Sequence, residues 1–429
     1  MSGKRIIGVD ERPPIGLFIP LSLQHMFAMF GASVLVPILF GLNSSIVLFM
    51  NGVGTLLFIL ITKGRAPAYL GSSFAFIAPT LYLLQHHPDG FRAAQGGFVA
   101  VGLAGCAVAF IIQKCGTNWI DVVLPPAAMG PVVALIGLEL SGTAASNAGL
   151  VITEQNPAID PRALIVFLVT LGFAVFGQVL FRGFLGVIPI LIAIIAGYLS
   201  CFLTGLVSFS EVAATVSQAQ LFMLPAFQTP VFRADAIVIM LPVLLVILSE
   251  HVGHQVVTSQ IIDRNLIKDP GLHRSIFGDN FSSMISGFLG SVPTTTYGEN
   301  IGVMAVTGVY SVWVIGGAAV CSIILSFVGP VAALINTIPG AVIGGISFLL
   351  YGMIGTSGLR ILVDQRVDYG RSRNLAMTSV IFVTGLSGIA VQVGNIQITG
   401  MALACVVGML MGLIFFFLDK AKLTNDQEG

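Results

Sequence analysis

Apolar runs of about 20 residues, long enough to cross a hydrocarbon layer as a helix, recur along almost the whole of this 429-residue chain. They fall near 17–40, 44–62, 67–85, 95–113, 120–140, 163–181, 184–207, 235–258, 277–292, 295–309, 311–335, 339–359, 373–394 and 397–418, fourteen in all with two of them short. A backbone held in lipid must satisfy its own polar groups, which leaves helices as the spanning unit. Hydrophobic residues make up 56% and charged residues 9%, against roughly a quarter charged in soluble domains. The chain is therefore an integral membrane protein of all-α, polytopic class. Its formal net charge is zero, so nothing argues for a nucleic-acid partner.

Charge distribution sets the orientation. With alternating spans and a cytoplasmic N-terminus, the cytoplasmic side holds Lys4, Arg5, Arg12, Lys63, Arg65, Lys114, Arg182, Arg264, Lys268, Arg274, Arg360, Arg366, Arg371, Arg373, Lys420 and Lys422. Only Arg92, Arg162 and Arg233 fall on the other side. Such asymmetry puts both termini in the cytoplasm. The polar stretch Met1 to Pro14 leads into a long first span without a cleavage-type pattern, so no cleaved signal is expected. Cys106, Cys115, Cys201, Cys321 and Cys405 show no metal-type spacing and read as small packing residues. No metal and no cofactor are expected.

Two segments break the apolar pattern at mid-membrane depth. One carries Pro67, Tyr69, Gly71, Ser72, Ser73 and Pro79; the other carries Pro293, Thr294, Thr295, Thr296, Tyr297, Gly298, Glu299, Asn300 and Gly302. Lipid cannot hydrogen-bond such backbone, so it must be buried in protein or line a cavity. The breaks also correspond. Gln24-His25 is echoed by Glu250-His251, and Gln24 to Ser73 spans 49 residues, as does Glu250 to Glu299. Pro126-Ala-Ala and Pro339-Gly-Ala open the fifth and twelfth spans alike. Seven spans per half is odd, so the second half sits inverted. Paired broken helices in an inverted repeat are the pattern of secondary transporters, with the substrate site where the breaks meet.

An acidic side chain at the centre of a span costs on the order of 3 kcal/mol, which marks Glu250 and Glu299 as candidates for a substrate or proton pathway. Glu250 and His254 are four residues apart and share a helix face. The pair is suited to gaining and losing a proton as its exposure changes. Glu139 reads equally as a structural partner of a polar group. For Gln24 and His25 the favoured reading is a polar link holding the first span to its neighbours. His251 is expected to face away from Glu250's partners, and Asp279 to cap a helix or bind a cytoplasmic loop. Glu250-His251-x-x-His254 superficially resembles a zinc motif, but a zincin needs two His four apart with Glu between them.

These residues resemble the nucleobase-cation-symport-2 (nucleobase-ascorbate) transporter family. Its signature, Gln, Glu or Pro followed by N-x-G-x4-T and then Arg, Lys or Gly, is matched by Glu299-Asn300-Ile301-Gly302 with Thr307-Gly308. Gln24-His25 matches its first-span pair. Pro67 to Phe76, Glu250 to His254 and Thr296 to Met304 are similar to the uracil:proton symporter branch, and the likeness runs from about Glu11 to the last span. Gly308, where many relatives carry Arg, stays within the family pattern but bears on fine specificity.

The resemblance implies fourteen spans as a seven-plus-seven inverted repeat, with short extended strands interrupting segments 3 and 10. It implies a core domain from 1–115 and 232–336 (segments 1–4 and 8–11) and a gate domain from 116–210 and 337–420 (segments 5–7 and 12–14). It further implies that Glu250 and Glu299 hold the nucleobase, that Phe74, Tyr297 and Gly298 line the site, and that His254 acts with Glu250 in proton coupling. Uracil offers two N–H donors and two carbonyl acceptors on a flat neutral ring. Carboxylates accept from the N–H groups, and half-helix N-termini near Phe74 and Gly298 supply donors to the carbonyls. Phe74 and Tyr297 add aromatic contact. The implied function is uracil uptake coupled to a proton; the alternatives are a purine (xanthine or uric acid) symporter of the same family, or an anion transporter or channel on the same fold. The sequence leaves monomer and homodimer open.

Overall fold

The computed structural model of the protein describes residues 6–116, 118–154, 157–393 and 396–424. Lys4 and Arg5 of the orientation argument lie outside them. Residues 7–9 run extended beside 308–312: Ile7 N–H donates to Gly308 O (2.9 Å), Tyr310 N–H to Ile7 O (2.9 Å) and Val312 N–H to Val9 O (3.0 Å). Helix α1 (Ile15–Leu39) follows Pro14. Helix α2 (Ser44–Ile61) is capped by Asn43, whose side chain accepts from Ser45 N–H. The chain then breaks into strand β1 (Leu70–Ser72), a 3₁₀ turn at Phe74–Phe76 and the short helix α3 (Ile77–His86).

After α4 (Gly90–Cys115) come α5 (Asn118–Val123), α6 (Pro126–Glu139) and α7 (Ser141–Asn147). Helices α8 (Pro161–Leu180) and α9 (Pro189–Thr204) each start with Pro at the first turn, where a missing N–H costs nothing. The short α10 (Phe209–Gln218) precedes α11 (Ala234–Met240) and α12 (Val243–Ile261). The eighth expected span is thus broken around Leu241-Pro242, since Pro242 cannot donate to the helix ladder. Helix α13 (Leu272–Leu289) begins before the expected 277, with His273 and Arg274 taken into its first turn. Strand β2 (Thr294–Thr296) and α14 (Gly298–Thr307) follow.

The remaining elements are α15 (Val312–Ser326), α16 (Gly329–Asn336), α17 (Gly340–Asp364), α18 (Ser372–Leu386), β3 (Ala390–Val393), β4 (Ile396–Thr399) and α19 (Gly400–Lys420). The antiparallel β3–β4 hairpin replaces what the hydropathy reading took as the end of one span and the start of the next. Among the described residues, eight helical stretches are long and apolar enough to cross a membrane, with Pro189–Thr204 and Val312–Ser326 as shorter apolar helices. The protein is a mostly helical, polytopic membrane protein.

Packing divides the helices into two groups. In one, α4 packs on α13, α2 on α15 and α13, α1 on α15, and α11 on α4. In the other, α6 packs on α17, α8 on α9 and α17, and α18 and α19 on each other and on α6. The α6–α17 pair meets at backbone contact: a Cβ on Gly137 would lie 2.0 Å from Tyr351 O. Close approach of this kind is how helices associate where lipid removes the hydrophobic drive.

Candidate functional site

The two interrupted segments meet as a ladder. Strands β1 and β2 pair antiparallel, Leu70 opposite Thr296, Gly71 opposite Thr295 and Ser72 opposite Thr294. Two strands in a helical bundle leave outward-facing N–H groups, and side chains satisfy them. Thr55 Oγ1 of α2 accepts from Leu70 N–H (2.9 Å), Ser283 Oγ of α13 from Thr294 N–H (3.1 Å), and Asp279 Oδ1 from Thr296 N–H (3.1 Å). Asn300 Oδ1 accepts from Tyr69 N–H (3.2 Å), and Ser73 N–H donates to Pro293 O (2.8 Å). An orphaned buried N–H costs about 1–3 kcal/mol, so these side chains hold the extended backbone in place.

Asp279 departs from expectation. It neither caps a helix nor binds a loop: it sits inside α13, 1% exposed, because the Thr296 N–H needs an acceptor. His251 points away from the cavity, its Nδ1 3.7 Å from Asp279 Oδ2 and its ring edge-on to Phe58. His25 is fully buried with Nδ1 3.2 Å from Asn300 Nδ2, a polar link between α1 and α14.

Phe74, Glu250, His254, Tyr297, Gly298 and Glu299 all line one cavity of about 450 Å³, a volume typical of small-molecule sites. Two routes bring the carboxylates together: Glu250 comes from the middle of α12, and Glu299 from the first turn of α14. The Phe74 and Tyr297 rings lie nearly parallel, centroids 6.3 Å apart at 24°. Tyr297 is 3% exposed and its hydroxyl donates to Ser72 O (2.9 Å). Gly71 makes room for it, since a Cβ there would lie 2.3 Å from the tyrosine ring. His254 Nδ1 is 3.1 Å from Thr296 Oγ1. Gly298 lies under His254, where a Cβ would come within 3.3 Å of Nε2.

The other wall comes from the second packing group and was missed in the sequence: Gln178 of α8, Val187 before α9, and Met353, Ser357 and Arg360 of α17. Gln178 and Arg360 sit toward helix ends, where they read as ordinary flanks, and Val187 and Met353 read as ordinary apolar packing. Arg360 Nε is 3.2 Å from Asp364 Oδ2, an exposed pair one helical turn apart. Chemically, the cavity offers two carboxylates, an imidazole, a stacked aromatic pair and the N-terminal end of α14, a set that suits a flat polar ring. Among the described residues no group of three His, Cys, Asp or Glu is set to hold a metal ion.

The fold is that of membrane solute transporters. The transmembrane domain of a cyanobacterium bicarbonate transporter, BicA, superposes with a TM-score of 0.62 at 15% identity, covering 94% of this chain and 98% of its own. The murine Slc26a9 anion transporter in its inward-facing state gives 0.70 at 11%, covering 95% and 69%. At those identities the likeness speaks for the fold alone. The model of a permease family matches residues 17–394. Proteins named uracil permease are 54% identical in Escherichia coli K12 (96% of this chain, 94% of that one), 52% in Paenibacillus larvae (98% and 99%) and 44% in Bacillus subtilis (98% and 97%). This chain belongs to that permease family, the nucleobase-ascorbate transporters. It is a transporter and not an enzyme.

Proposed function

We propose that the protein takes up uracil across the bacterial cytoplasmic membrane together with a proton, by alternating access. The observation that carries the reading is the cavity in which Glu250 and Glu299 face the same space beside the Phe74–Tyr297 pair, in a chain about half identical to proteins named uracil permease. Two acceptor carboxylates suit the ring's two N–H groups and disfavour an anionic substrate. His254 stands one turn from Glu250 on the cavity side and serves proton linkage, with Thr296 as its hydrogen-bond partner.

The architecture we infer has fourteen spans in two inverted halves, with both termini cytoplasmic. Its support is a pattern of exchanged contacts. If α2 corresponds to α13 and α4 to α15, the α2–α15 contact becomes α13–α4; both occur. Likewise α8–α9 matches α18–α19, and α17–α8 matches α6–α18. The first packing group then forms the core domain (1–115 and 232–336) and the second the gate domain (116–210 and 337–420). On this reading the ladder's Gly71–Thr295 pair makes residue 75, two beyond Ser73, the counterpart of Glu299. A slow rocking of one group against the other would carry the cavity from one face to the other.

The test is uptake by cells expressing the protein of radiolabelled uracil, xanthine, uric acid and ascorbate. Saturable uracil uptake, with the other three neither transported nor competing, is expected. Transport of xanthine or uric acid in preference to uracil would replace the substrate assignment while leaving the site.

A further inference from the structure

A second cavity, of about 250 Å³, lies between one side of α3 from Ala78 to Gln85, the α6–α7 junction, and β4 with the start of α19. It contains none of the residues of the first. Its lining is nonetheless the lining of the first cavity's mouth, transposed between the halves. Ala78, Pro79 and Tyr82 line it where Gly302, Val303 and Val306 line the other, the same offset of 224 that relates Gly71 to Thr295. Glu139, Leu140 and Thr143 answer to Met353, Ile354 and Ser357, with the offset of 214 that separates the starts of α6 and α17. Gln397, Ile398 and Met401 answer to Gly186, Val187 and Ile190, with the offset of 211 between α9 and α19. Nine positions on three pairs of chain segments agree, so the smaller cavity is the narrowed counterpart, on the opposite face, of the wider one.

Geometry is shared between the two mouths, but chemistry is not. Where the first has Met353, Val306 and Gly186, the second has Glu139, Tyr82 and Gln397. We propose that this cavity is an outer docking site for the same neutral cyclic amide, with Glu139 accepting a ring N–H before the ring passes along α3 to Glu250 and Glu299. The proposal rests on the uracil reading above and adds a site to it.

Glu139 is fixed for that role. Met401 N–H donates to Oε2 (3.0 Å), and Gly400, at φ +54°, lets the chain pass so close that a Cβ there would lie 1.9 Å from Oε1. Among the described residues that is one backbone donor, which leaves most of the carboxylate's acceptor capacity unused, since an ionised carboxylate takes about four. Thr143 and Gln397 bring groups that both donate and accept, matching a ring that carries both N–H and carbonyl edges. Across the cavity the Tyr82 hydroxyl donates to Gln397 Oε1 (3.2 Å), joining α3 of the core group to the β3–β4 hairpin of the other. Parting of that contact as the groups move would widen the cavity.

The experiment compares initial rates of labelled uracil transport into right-side-out vesicles and into inside-out vesicles, for the wild type, Glu139→Gln and Thr143→Val. Glu139→Gln keeps an oxygen for Met401 N–H, and Thr143→Val does not touch that contact. The expected result is a rise in KM of about five- to tenfold for Glu139→Gln and about two- to threefold for Thr143→Val in right-side-out vesicles. Half-saturation in inside-out vesicles stays at the wild-type value. Equal KM values from the outer face for wild type and both variants overturn the proposal, as does a KM change of the same size from both faces, which would mark Glu139 as a support of the central site. If Glu139→Gln does not reach the membrane, Thr143→Val decides by the same readout. A wild type that transports no uracil sinks the functional reading itself, an outcome distinct from a transporting wild type whose variants are indifferent.

Discussion

Replacing Glu250 or Glu299 by Gln turns one of the two carboxylate oxygens into an N–H donor that mismatches a ring N–H, and removes the charge that strengthens the bond to the other oxygen. The mismatch is worth roughly 1–3 kcal/mol, which corresponds to about a 5- to 150-fold loss of affinity. Uracil binding by purified Glu250→Gln and Glu299→Gln should fall by that much while both remain folded in the membrane; isothermal titration is the check, and unchanged affinity for Glu299→Gln contradicts the site. His254→Ala should act differently. Its imidazole faces Thr296, so binding should change little while gradient-driven uptake and its pH profile are damaged. Full uptake with an unaltered profile would make the histidine a packing residue. The two glutamates and His254 were legible in the sequence because charge in an apolar run is conspicuous. Asp279 was equally conspicuous and was misjudged, since nothing in sequence spacing reveals that its partner is a strand N–H of residue 296.

Among the elements, the β1–β2 ladder is the least ordinary and the most exposed to error by substitution. Asp279→Leu deletes the acceptor of the buried Thr296 N–H and should lower thermal stability by about 1–3 kcal/mol, whereas Asp279→Asn keeps an oxygen for it and should lie closer to wild type. Melting curves in detergent distinguish the two; equal melting temperatures for both would show that the ladder does not depend on this contact. The breaks that form β1 and β2 were readable from Gly, Ser and Thr clusters at a depth where lipid tolerates none. The β3–β4 hairpin was not read, although Val391-Gln392-Val393 and Ile396-Gln397-Ile398 alternate with period two, because their apolar members merged into the neighbouring hydrophobic runs. The break at Pro242 was hidden for the same reason.

For the whole molecule, hydropathy and basic-residue asymmetry suffice to read a polytopic bundle, but not how its helices group. The two packing groups depend on contacts such as Gly137 against Tyr351, which no periodicity announces. Orientation has its own check. A reporter fused at Gly370 should report a cytoplasmic location, and a periplasmic signal would defeat the fourteen-span count together with the inverted repeat. In the proposed function one cavity links a neutral ring to proton entry. A pH unit supplies about 1.4 kcal/mol and 100 mV about 2.3 kcal/mol, so one proton per ring can sustain roughly several-hundred-fold accumulation. The most direct measurement is the accumulation ratio of labelled uracil in proteoliposomes given an imposed inward pH gradient and membrane potential, with and without a protonophore. Accumulation well above the external concentration, collapsing to equality when the protonophore is added, is the predicted result. Uracil that only equilibrates, whatever the gradient, would contradict the account.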